Sequence, residues 1–150
     1  MNTRIPPPIV AALIALGMWQ ISRMFESEKY VFSYQAHIAI LFITCGVILA
    51  VMGIHTFIAA NTTPNPMRPH KATVLVTSGV HSWSRNPMYL GDLLILMGIA
   101  IWLGSLFNMG LLALFVWFIN HYQIAPEEAA LRKIFGDAYL AYCNRVRRWI

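Results

Sequence analysis

The chain has 150 residues, of which 58% are hydrophobic and only 11% charged, with a formal net charge of +5. A soluble globular domain averages roughly 45–50% apolar and about 25% charged residues, so this composition excludes an ordinary water-soluble domain. The apolar residues fall in blocks, as a bilayer demands, since a spanning helix needs about 20 of them.

Four blocks qualify, which predicts an all-α integral membrane fold with about four transmembrane helices in one domain, residues 1–150. The first covers about 7–24. A thin positive region (Arg4) and the continuation Gln20-Ile21-Ser22-Arg23-Met24, without a small-residue cleavage site, read as a membrane helix rather than a cleaved signal. The second covers about 36–60. A Pro- and Thr-rich stretch comes next, in which Pro64, Pro66 and Pro69 forbid a long helix. Within it, Thr73-Val74-Leu75-Val76-Thr77 is short, apolar and β-branched, suited to lie extended on the membrane surface or to cover a pocket.

The third and fourth spans cover about 88–106 and 107–124. Small and polar residues from Gly104 to Gly110 turn the chain between them into an antiparallel hairpin. Pro87 suits the first position of the third helix, with Asn86 or Ser84 as cap. After Pro126 the pattern predicts a C-terminal amphipathic helix, with Glu127 and Glu128 in its first turn and Gly136 as an interruption.

Four spans place the N-terminus, the 61–87 loop and the C-terminal tail on one side. That side holds Arg4, Arg68, Lys71, Arg85, Arg132, Lys133, Arg145, Arg147 and Arg148, whereas the other holds Arg23 and Lys29, offset by Glu26 and Glu28. The positive-inside rule makes the richer side cytoplasmic. Attraction to anionic headgroups accounts for the net charge, and no nucleic-acid partner is expected. Cys45 and Cys143 lie in different environments, and no Cys or His spacing makes a metal site. His37 and His55 read as hydrogen-bonded interhelical residues.

The chemistry concentrates where the third helix begins and the fourth ends. Arg85 has a plain explanation as a positive-inside anchor, yet the helix macrodipole disfavours a cation at that position, which suggests an anionic ligand group. Glu127 and Glu128 are explained by the same dipole, or by a carboxylate that accepts hydrogen bonds from ribose hydroxyls or an amino group. Tyr89 is either a belt aromatic or one wall of a nucleoside pocket. Asp92, one turn on, is either a shallow hydrated acid or a functional intramembrane one. Asn120, His121 and Gln123 close the fourth span and would approach Arg85 and Tyr89 across an antiparallel hairpin.

The ordered set Gly79-Val80, Arg85-Asn86-Pro87-Met88-Tyr89, one hairpin, Glu127-Glu128, Phe135-Gly136-Asp137-Ala138-Tyr139 and a basic end resembles the isoprenylcysteine carboxyl methyltransferases and the related phospholipid methyltransferases. The likeness runs from about Leu75 to Arg148, within a donor-binding region of about 73–148. It implies S-adenosylmethionine as methyl donor, bound at the cytoplasmic end of the hairpin. By position it assigns donor binding to Thr73, Val74, Leu75, Val76, His81, Asn86, Pro87, Met88, Tyr89 and Glu127. Arg85, Glu128 and Asp92 are the candidate catalytic residues. Three positions depart from the family pattern: Asn86 replaces a usual His, His81 a common Tyr, and Gln123 an Arg that contacts substrate in the eukaryotic enzymes.

The leading expectation is a membrane methyltransferase that acts on a lipophilic small molecule, a lipid or a prenylated carboxylate acceptor, with a homodimer compatible. The alternative is a non-enzymatic four-helix membrane subunit that binds lipid or a protein partner. A transporter fits less well, because the chain shows no broken-helix repeat.

Overall fold

The computed structural model describes residues 5–26, 29–60 and 74–150, and these residues are helical apart from turns and short extended stretches. Helix α1 runs Pro7–Met24 and α2 Gln35–Ala59. A 3-10 turn, Gly79–Ser82, precedes α3, Pro87–Leu103. Helix α4, Asn108–Ile119, passes through a π-turn at Asn120–Ile124 into α5, Ala125–Arg145. Of these, α2 is long and apolar enough to cross a membrane, while α3 is apolar and shorter.

The start of α3 at Pro87 agrees with expectation, because a first-turn Pro lacks only an N–H that would be unpaired anyway. Its cap differs. Neither Asn86 nor Ser84 caps the helix with its side chain; Ser84 Oγ accepts from Asn86 N at 3.1 Å, outside the helix. At the other end Gly104 adopts φ +65° and returns its N–H to Ala100 and Ile101, which stops the helix before the turn into α4. The hairpin therefore breaks at 104–107, within the predicted stretch.

The end of α4 departs from expectation more sharply. Helix α5 does begin around Pro126, with Glu127 and Glu128 in its first turn, but it follows α4 directly through the π-turn without a loop. The expected interruption is at Gly136, whose φ +51° and ψ −125° no side-chain-bearing residue adopts readily.

Helix α3 is the hub. It packs on α2 along one side, and α1 packs against both α3 and α4. The α2 contact is a seam of small residues: Ala39 and Gly46 of α2 are buried against Gly98 and Gly91 of α3, and Gly53 against Met88 and Pro87. A Cβ on Gly46 would come within 2.6 Å of the Gly91 carbonyl oxygen, and one on Gly98 within 2.7 Å of that of Ala39. Backbones thus touch, which is how apolar helices gain attraction where no hydrophobic driving force separates them from lipid. Elsewhere α2 is bare, with Ile40, Leu41, Val47, Ile48 and Val51 exposed. On the opposite side Met18, Leu96, Phe115 and Ile119 fill a core between α1, α3 and α4.

Polar ties fix the far end of the bundle. Gln35 Nε2 donates to Ile101 O at 2.7 Å, Tyr30 N to Gly104 O at 2.7 Å, and buried Asn108 Nδ2 to Ser22 Oγ at 3.1 Å. His37 and His55 are exposed, so neither is an interhelical core histidine.

Candidate functional site

The beginning of α3 and the beginning of α5 meet. Tyr89, in the first turn of α3, donates its hydroxyl proton to Glu127 Oε1 at 2.6 Å. Arg85, just before the helix, pairs with Glu128 through Nη2–Oε1 at 3.0 Å. Consecutive carboxylates therefore take different partners, one a phenol and the other a guanidinium.

Glu128 has a second cation. Arg148 donates to it twice, from Nε to Oε1 at 3.2 Å and from Nη2 to Oε2. Both oxygens of Glu128 are thus charge-bonded, and the hydrogen bonds to Glu128 raise the Arg148 pKa above its ordinary value. With Arg85 and Glu128 side chains 13% and 17% exposed, neither charge is well hydrated, so removing one partner would strand the other.

Arg148 reaches this position because the tail straps the site. Arg85 N donates to Arg147 O at 3.0 Å, and Asn86 Nδ2 to Arg148 O at 2.9 Å. Trp149 Nε1 donates to Asn120 Oδ1 at 3.2 Å, while the indole packs on the main core. Asn86, where the family resemblance expects His, therefore spends its amide on holding the tail.

The 3-10 turn supplies the third wall. His81 is buried, with Nδ1 2.9 Å from Thr56 Oγ1 and its ring edge-on to Phe57, both at the end of α2. Its carbonyl accepts from Tyr142 Oη at 2.7 Å. Burial lowers the imidazole pKa to about 4, so His81 is neutral at physiological pH. Burial likewise pushes the Tyr142 phenol up to about 12 and the Tyr139 phenol above its ordinary value, the latter aided by the Glu128 charge.

These groups enclose a cavity of about 90 Å³. Val74, Leu75, Val76, His81, Arg85, Asn86, Pro87, Met88, Tyr89, Glu127 and Glu128 all line it, so the structure brings together nearly every residue singled out from the sequence. The stretch after residue 73 covers a pocket, one of its two expected placements. Thr73 lies outside the described residues. Asp92 sits half-buried on α3 and does not line the cavity.

The end of α4 corrects an expectation. His121 is exposed and bonded to Trp117 O, Asn120 holds the tail, and buried Gln123 donates to Ile5 O at 2.6 Å. None of the three lines the cavity. Sequence reasoning missed Phe57, Leu131, Tyr139 and Tyr142 as walls. Tyr139 carried a signal in the Phe-Gly-x-x-Tyr motif; Phe57 carried none, being one apolar residue among many in α2.

Known proteins give the arrangement a context. The sequence model of the phospholipid methyltransferase family matches residues 34–138. An uncharacterized Haemophilus influenzae protein is 48% identical over 64 residues, 42% of this chain and all of that protein. Protein-S-isoprenylcysteine O-methyltransferases are similar too. The Schizosaccharomyces pombe protein is 34% identical over 77 residues (51% of this chain) and the Mus musculus protein 38% over 72 (48% of this chain). The matched stretch spans only 33% and 25% of those two proteins.

Proposed function

This chain belongs to the phospholipid methyltransferase family, and on that premise we propose that it is a multi-pass membrane enzyme that transfers a methyl group from S-adenosylmethionine to a lipophilic small molecule or lipid. The observation that carries this reading is the meeting of Tyr89 with Glu127, and of Arg85 with Glu128, around one cavity. In this reading α1 to α4 cross the bilayer and the site faces the cytoplasm.

The lining suits the donor chemically. A carboxylate, an aromatic ring, a guanidinium and an apolar floor are the groups that a nucleoside-bearing amino acid would need. Arg85 Nε is moreover a buried donor with no acceptor among the described residues. Space is the constraint: about 90 Å³ is well below the roughly 300–1,000 Å³ of pockets that bury a drug-sized ligand. Binding therefore requires the cavity to widen.

Glu127 would accept hydrogen bonds from ribose hydroxyls or the amino group, and Tyr89, already bonded to Glu127, would pack on the nucleoside. Arg85 would hold the donor's carboxylate or the acceptor's anion. When bound, S-adenosylmethionine supplies a sulfonium methyl that is already activated, so alignment and exclusion of water are the protein's main tasks. Val74, Leu75, Val76 and Met88 provide the exclusion.

The acid–base inventory narrows the acceptor. Both oxygens of Glu128 are occupied by two guanidiniums, His121 points elsewhere, and Asp92 lies off the cavity. This favours an acceptor that is already an anion at neutral pH over one that must lose a proton.

Titration of detergent-purified protein with S-adenosylhomocysteine tests the reading. Saturable binding that weakens by about tenfold or more in Arg85→Ala and Glu127→Ala is expected. No binding by the wild type, or unchanged affinity in both variants, refutes it in favour of a non-enzymatic subunit.

A further inference from the structure

Behind the Arg85–Glu128 pair lies a second concavity, an open groove of about 450 Å³ whose walls include Arg85, Glu128, Arg132, Lys133, Tyr139 and Cys143. The break at Gly136 creates it. In an unbroken helix, residues 125–133 and 139–143 would stack along one rod; the left-handed φ of Gly136 lets the later residues form a facing wall. The pair is thus a partition, with the enclosed cavity on one side and the groove on the other.

The groove has an unbalanced charge inventory. Glu128 is its one acid among the lining residues, and both its oxygens are already bonded to Arg85 and Arg148. Arg132 and Lys133 are exposed and form no ion pair among the described residues. Arg85 also lines the groove, with its Nη2 engaged by Glu128. Several cationic donors therefore border a concave volume that offers no spare negative charge.

We propose that this groove is an anion-binding site that takes a phosphate or carboxylate group on Arg132 and Lys133, with Arg85 at its floor. A forked guanidinium beside a compact ammonium gives directed charge-assisted hydrogen bonds as well as attraction. That separates the site from generic headgroup attraction, which needs only charge near a surface and does not saturate at one ligand per chain. The anion could come from a lipid headgroup or from solution. The proposal concerns the groove, which shares Arg85, Glu128 and Tyr139 with the donor cavity but adds Arg132 and Lys133, and it stands whether or not S-adenosylmethionine binds.

The test is calorimetric titration of the full chain in detergent micelles with two anionic probes, inorganic phosphate and dihexanoylphosphatidic acid, and with dihexanoylphosphatidylcholine as a zwitterionic control. At least one anionic probe should bind with one-site saturation. Its affinity should fall about tenfold or more in Arg132→Gln/Lys133→Gln, which removes two charge-assisted contacts. The charge-preserving exchange Arg132→Lys/Lys133→Arg should retain most of the affinity, which separates lost charge from lost fold. Binding of both anionic probes assigns the site to soluble anions; binding of the lipid alone assigns it to a headgroup. The proposal is overturned by no saturable binding of either anionic probe, by equal binding of the zwitterionic lipid, by undiminished affinity in the Gln variant, or by a charge-preserving variant as weak as the Gln one.

Discussion

Helix α3 meets α2 and α5 by opposite means. Against α2 it lays Gly91 and Gly98 on Gly46 and Ala39, so that backbones touch. Against α5 it and the turn before it extend long polar side chains, Tyr89 to Glu127 and Arg85 to Glu128. The seam fixes where a helix lies and leaves no slack, because the atoms in contact are main chain. The polar network fixes how side chains point and has alternatives, because Glu128 has two cations. Position is therefore rigid where the site is anchored, and adjustable where the proposed ligand would enter.

Substitutions at the seam should hurt most. Gly46→Leu is expected to cost about 3 kcal/mol or more by forcing α2 off α3, and to abolish a monodisperse detergent-solubilised protein. Val47→Leu, on the exposed side of the same helix, should be neutral. Size-exclusion profiles and thermal unfolding compare the two directly; equal behaviour would show that the seam does not organise the fold.

The network should respond less, and by residue. Glu128→Gln leaves Arg85 and Arg148 without their charge partner and should lower stability by about 2 kcal/mol. Arg148→Gln should cost less, since Arg85 still neutralises Glu128. If the Arg148 change proves the more damaging in thermal melts, the tail rather than the partition pair is the chief support.

His81 makes the site sensitive to acid. Its folded pKa of about 4 lies below its ordinary value of 6.5, so the unfolded chain binds more protons between those values. Stability should be full above about pH 6.5 and fall as the pH drops toward 4, by on the order of 3 kcal/mol. His81→Gln should flatten that slope in denaturation curves measured across the window. A slope that persists would assign the acid sensitivity to another group.

The smallest effect belongs to Tyr89→Phe. Loss of its hydroxyl bond to Glu127 should cost about 1 kcal/mol of stability, and should weaken S-adenosylhomocysteine binding several-fold if Glu127 is oriented for the donor. Unchanged affinity would reduce that bond to a structural one.

The helical segments and the site-bearing stretches were legible in the sequence, since both obey local rules. Apolar runs set the helix lengths, Pro87 set the start of α3, and Gly104 and Gly136 marked turns that their positive φ values then required. The small residues at every seventh position in α2 and α3 became a seam only in the structure, where their backbones meet. Tertiary structure alone decided the phase of α4 relative to α5. A π-turn inserts a residue into the helical ladder and rotates the downstream helix by roughly 100°, which sets the phase at which Glu127 and Glu128 reach the cavity. It also decided that Arg148, by sequence a basic tail residue at the membrane surface, closes on Glu128. Such contacts join residues distant along the chain, and composition or periodicity records only which side of a segment is apolar, not which partner it will find.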